Sequence, residues 1–271
     1  MARLKITVMF FLVAALSVQA ATAEETLDNF RDDLGRWVTF YYMKPEPQKV
    51  TETFVKYANS ELFGRANGRL PMAAFFAAIF RDNPDLMRET YWQVSQGGSR
   101  DAKLLLVYAV RLANTPESRA LFTQARTAWT SDGMQQVFGE AEKLPAPGLL
   151  EGEITQPVHL DMLWATFFAT GESAPIEKII SILRWSEEGK GIQVALGGAA
   201  SWSLASNAYQ HKRVYEICAL KLLETGDPVT KRLLQEAVDR ADERKSAEGE
   251  SKEESASDDI PASSHIRLVV L

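Results

Sequence analysis

Three histidines, one cysteine and 36 Asp and Glu residues are the side chains with which this chain could hold a metal or carry out covalent chemistry. His159, His211 and His265 lie far apart, whereas a metal site draws its ligands from helical spacings of three or four. His159 has only Asp161 beside it, and His211 is followed by Lys212 and Arg213, a poor setting for a cation. The expectation is no metal, with His265 solvated near the C-terminal end. Cys218 sits in the apolar run from Val214 to Leu223, beside Ile217 and Leu220, and reads as a buried packing residue. A lone cysteine leaves no internal disulfide, so burial must supply the stability of the fold. No Gly-x-Ser-x-Gly elbow, His-Glu-x-x-His helix or phosphate-binding loop is present, and no cofactor is expected. The stretch Gly189 to Gly198 lacks a Lys followed by Ser or Thr. It leads into small residues from Ala199 to Ala208, which read as a surface for close helix packing.

One enzymatic pattern stands out. Glu117-Ser118 precedes Gly133-Met134-Gln135-Gln136. This resembles the lytic transglycosylases of cell-wall glycan, in which a catalytic Glu followed by Ser lies upstream of a Gly-Leu-Met-Gln type segment. The resemblance implies Glu117 as the catalytic acid. The Leu of that segment and the small-residue pair leading into it are absent here. Glu117 also has a sufficient structural role, because a carboxylate in the first turn of a helix complements the dipole.

Aromatic residues offer a different chemistry. Trp37, Trp164, Trp185 and Trp202 are candidates to line a groove between hairpins that anchors a peptide or glycan. The pairs Tyr41-Tyr42, Phe75-Phe76, Tyr91-Trp92 and Phe167-Phe168 place neighbouring side chains about 100° apart on a helix, so burying both requires a multi-layered core.

The elements that must carry these residues are helices. Apolar positions recur at three and four, as in Leu104, Val107, Tyr108 and Val110, or Ile176, Ile179, Ile180 and Leu183, and strict alternation is almost absent. Four times an apolar helix runs into a polar turn, a proline and a second helix: Asn83-Pro84-Asp85, Thr115-Pro116-Glu117, Ala174-Pro175-Ile176 and Asp227-Pro228-Val229. A looser copy lies at Pro45-Glu46-Pro47. Asn83, Thr115 and Asp227 are expected N-caps, with Pro at the first helical position, where its missing N–H costs nothing. Ser173 would serve at the copy lacking a cap. Gly171 and Gly226 are expected to close the preceding helices in the left-handed conformation. Each junction reads as a helical hairpin turn. The prolines stand 32, 59 and 53 residues apart, so no strict repeat exists. The fold class is therefore all-α, either a tetratricopeptide- or HEAT-like array of hairpins forming an α-solenoid, or an irregular helical bundle.

Arg3 and Lys5, the apolar run Ile6 to Val18 and the small residues Ala21 and Ala23 follow the order of a secretory signal. The run has 13 residues, against the roughly 20 of a spanning helix. Cleavage after Ala23 is favoured over Ala20. The expected organisation is a signal peptide at 1–23, N-terminal hairpins at 24–143, a Pro/Gly-rich loop or linker at 144–157, C-terminal hairpins at 158–240 and a disordered acidic tail at 241–271. Between Ala241 and Asp259 stand eight acids and three bases, so much of the net charge of −6 belongs to the tail. That balance argues against nucleic acid or an anionic membrane as partner. The apolar end Ile266 to Leu271 could add as a strand to a partner's sheet edge.

The segments Thr39-Phe40-Tyr41-Tyr42 to Pro47 and Leu163 to Gly171 resemble those of exported all-helical proteins of Gram-negative bacteria to which no activity is assigned. The resemblance implies a compartment and a fold. The expectation is thus a periplasmic or secreted non-catalytic scaffold for a protein or peptide, without stable membrane insertion once the signal is cleaved. The alternative is a glycan hydrolase using Glu117.

Overall fold

The computed structural model describes residues 28–64, 68–144 and 148–255, with the backbone alone at 248–255. It contains α1 (28–40), which leads into a 3₁₀ turn at Tyr41–Met43. Then come α2 (Pro47–Ala58), a second 3₁₀ turn at Glu61–Gly64, α3 (Arg69–Asp82), α4 (Pro84–Gly97), α5 (Arg100–Ala113), α6 (Pro116–Ala128) and α7 (Asp132–Glu142). After a loop follow α8 (Pro157–Thr170), α9 (Ser173–Ile180), α10 (Trp185–Glu188), α11 (Ile192–Gln210), α12 (Lys212–Glu224) and α13 (Pro228–Ser255). No strand occurs among the described residues, so the chain is all-α.

Prolines open the helices as their chemistry requires. Pro47, Pro84, Pro116, Pro157 and Pro228 begin α2, α4, α6, α8 and α13. At α6 the Thr115 hydroxyl accepts from the Ser118 amide at 3.1 Å, and the Thr115 amide donates to the Ser118 hydroxyl at 2.9 Å, a reciprocal capping box. Asp227 accepts from the Thr230 hydroxyl at 2.6 Å and the Thr230 amide at 2.9 Å, bonds that hold its carboxyl below the usual range.

Three expected caps differ. The Asn83 amide donates backwards to the Ile79 carbonyl at 2.9 Å, so it closes α3 instead of opening α4. Ser173 lies inside α9, whose N-cap is Glu172, because the helix starts two residues before Pro175. Gly171 is left-handed as expected, with φ +69°, and a side chain there would also strike the Tyr42 ring. Gly226 is not among the positive-φ glycines, because α12 already ends at Thr225 in extended backbone.

The core explains the topology. In α3 every residue from Pro71 to Phe80 is buried, and in α8 every residue from Met162 to Ala169. A helix apolar on all sides gains most from a central place. Accordingly α3 packs chiefly on α8 and α5, while amphipathic α2, α4, α6 and α7 surround them. Phe54, Phe76 and Phe80 interlock at one side of α3, with ring centroids 4.8 to 6.3 Å apart. Trp37 and Tyr41 meet Phe75, whose ring touches Phe76. Each such fully buried side chain contributes about 1.5 to 3 kcal/mol over its exposed state. The seam between α3 and α8 joins segments on either side of the loop at 144–157. In a solenoid each repeat touches only its neighbours, so this central pair makes the architecture an irregular bundle.

Beyond α8, a smaller group forms around α11, which packs on α13, α10 and α12. Gly197 is needed there: a Cβ would come within 2.7 Å of the Trp185 carbonyl carbon, where the backbone of α10 crosses. Cys218 is buried, and its thiol is pushed up to about 12 by burial. Among the described side chains of α13, Ala241 is the last that is buried, and 242–247 are exposed. The segment expected as a disordered tail from 241 instead continues the helix, its backbone helical to Ser255, in keeping with the helix propensity of Glu, Ala, Arg and Lys. The expected signal segment 1–23 and the apolar end 266–271 lie outside the described residues.

Candidate functional site

The structure separates the residues that sequence reasoning grouped. Trp164 is buried in α8 against Phe167 and Phe168. Trp37 packs edge-on to Tyr41 at 5.0 Å, and Trp185 is half-buried against the core. Trp164 is enclosed by the core, whereas Trp37 and Trp185 pack one side on it and keep part of their surface accessible. Trp202 is different: it is 48 % exposed on α11. Trp92, on the outer face of α4, was not anticipated and is 65 % exposed. The only hint in the sequence was its place in an aromatic pair, of which Tyr91 takes the buried position.

Glu117 stands exposed in the first turn of α6. The Gln135 side chain, in the segment that completed the enzymatic resemblance, donates to the Arg126 and Trp129 carbonyls at 3.2 and 3.1 Å, a structural closure of α6. Glu117 lines neither of the concave regions described for the molecule. His159 is half-buried and accepts from the Thr155 amide at 3.3 Å, and burial holds its pKa below the ordinary value. Asp161 is pushed the other way by the same cause. Among the described residues no three His, Cys, Asp or Glu side chains come together as a metal site. His265 lies outside those residues.

The clearest surface anomaly is α11. No Asp, Glu, Lys or Arg occurs along its 19 residues. Its inner side is Leu196, Gly197, Ala200, Leu204 and Ala208, all buried. The opposite side carries Ile192, Ala195, Gly198, Ala199 and Trp202, spaced by three and four and all exposed. Solvent-facing helical positions normally carry charge. Here small residues keep the backbone accessible, a Cβ on Gly198 would meet nothing within 4 Å, and Trp202 projects as the one large side chain of the row's C-terminal end. On α12, Leu220 and the 82 % exposed Leu223 add further uncovered apolar surface.

Where α11 gives way to α12 lies a buried histidine. His211 is 1 % exposed and is the single residue between the two helices. Phe40, Phe168 and Phe167 ring it at centroid distances of 5.1, 5.2 and 6.1 Å, and its Nδ1 is hydrogen-bonded to the Tyr42 hydroxyl at 3.2 Å. Its Nε2 is buried with no partner among the described residues. Burial pulls its pKa down to about 4, so it is neutral at pH 7. The ring thereby pins α1, α8 and the α11–α12 turn together.

A cavity of about 220 Å³ opens at the C-terminal end of α3. Its floor is Ala74, Ala77 and Ala78, with the end of α5 and Thr166 of α8 as walls and 148–151 as roof. Arg81 and Glu151 supply charge at its edge.

Protein-family models, curated proteins and solved structures were compared with the chain, and none matches.

Proposed function

We propose that the protein is an exported, non-catalytic helical binding protein of the periplasm or cell envelope that holds a protein or peptide partner against the outer side of α11. The observation that carries this reading is the charge-free exposed row from Ile192 to Trp202. Leaving such a row in water forgoes the stabilisation its burial would bring, about 25 cal/mol per Å² of apolar surface. Small residues around a single large aromatic give a partner close backbone approach and one anchor, the usual anatomy of an interface hot spot. The N-terminal order of basic, apolar and small residues supports the compartment. No described helix is long and apolar enough to cross a membrane.

The test is co-purification from the envelope fraction of the native host, comparing the wild type with Trp202→Glu and with Thr123→Glu on the exposed side of α6. One partner retained by wild type and Thr123→Glu and lost from Trp202→Glu is the expected result. A partner held equally by all three would move the interface elsewhere.

A further inference from the structure

The cavity beside α3 has no part in the α11 surface, and its chemistry is of another kind. On its far side α3 carries Phe75, Phe76, Ile79 and Phe80, all buried. On this side it carries three alanines, and the space they leave is not filled by α5, α8 or the loop above. The pocket that results is partly open to solvent and has room for roughly seven water molecules, each taking about 30 Å³.

Two charged groups border it. Arg81 is held by long contacts, donating to Glu172 at 3.5 Å and lying 3.7 Å from Asp82, against the roughly 2.7 to 2.9 Å of a tight charge-assisted hydrogen bond. Glu151, on the roof, makes no hydrogen bond or ion pair among the described residues, and the two do not pair with each other. A guanidinium and a carboxylate that line one small cavity without pairing with each other present complements to a carboxylate and an ammonium on one small molecule. The Thr166 hydroxyl, which lines the same cavity and donates to the Met162 carbonyl at 2.9 Å, leaves its oxygen free to accept.

We propose that this cavity is a binding site for a small zwitterionic amino acid. Its carboxylate pairs with Arg81, its ammonium with Glu151, and its short side chain rests on Ala74, Ala77 and Ala78. Size sets the class: roughly 300 to 1,000 Å³ is usual for nucleotide- or drug-sized ligands, which this cavity is too small to enclose. Large side chains are excluded by the same limit.

Titration calorimetry with glycine, both enantiomers of alanine and both of serine tests the site on the full chain, with propanoate and alaninamide as probes lacking one charge each. At least one amino acid is expected to saturate, and each probe to bind about tenfold or more weakly, the usual loss when a charged group loses its partner. Arg81→Gln and Glu151→Gln, at the solvent edge where folding is spared, are expected to weaken the amino acid by a similar factor. Ala78→Leu, which fills the floor, should abolish binding, with circular dichroism confirming its helicity. No saturation with any of the amino acids, propanoate binding as well as alanine, or affinity unchanged in both edge variants overturns the proposal.

Discussion

Lowering the pH toward 5 should cost this protein stability through one side chain, His211. Enclosed by Phe40, Phe167 and Phe168, with only the Tyr42 hydroxyl beside it, the imidazole is held at a pKa of about 4 against an ordinary 6.5. Burial is the cause, and no carboxylate offsets it. A histidine whose folded pKa is depressed binds fewer protons folded than unfolded. Its contribution is therefore intact above about pH 6.5 and falls as pH drops through the window from 6.5 to 4. At about 1.36 kcal/mol per unit, the full loss below pH 4 is about 3 kcal/mol, of which about 2 is already lost at pH 5. Urea unfolding of wild type and His211→Gln at about pH 7.5 and pH 5 isolates the effect, since the carboxylates and His159 titrate alike in both. Wild type should lose about 2 kcal/mol more than the variant. Parallel losses, or an NMR titration placing His211 near 6.5, would refute the reasoning.

Two further perturbations test the local structure. Gly197→Ala should destabilise by more than about 2 kcal/mol in thermal or urea unfolding, because its methyl group meets the backbone of α10, whereas Gly198→Ala one position on should stabilise by up to about 1 kcal/mol through helix propensity alone. Thr115→Ala removes the capping box of α6 and should cost about 1 kcal/mol by urea unfolding, with Ser118→Ala adding less than the sum because the two bonds act as a pair.

Local chemistry made much of this fold legible. The proline junctions, the caps at Thr115 and Asp227, the left-handed Gly171 and the burial of Cys218 each follow from a few adjacent residues. Asn83 escaped the same logic because an amide can donate as well as accept, and it donated to the helix behind it. Gly197 and Gly198 are indistinguishable in sequence, and only the crossing of α10 assigns one inward and the other outward. Nothing beside His211 in the sequence marked it as buried, yet the helix that follows turns Lys212 and Arg213 outward and leaves the ring inside. Tryptophan at helical spacing carries no mark of which side faces water. Hence Trp37, Trp164 and Trp185 were indistinguishable from Trp202 until the helices were placed. The cavity depends on α3, α5 and α8 converging from distant parts of the chain, which no local pattern encodes.

The account rests on the outer side of α11 being covered in the envelope. A photo-crosslinking amino acid placed at Ala199, beside Trp202, and separately at Thr123 on α6, measures this in intact cells of the native host. The prediction is a discrete adduct of one mass from position 199 and none from 123, while equal labelling at both, or none at 199, would contradict it.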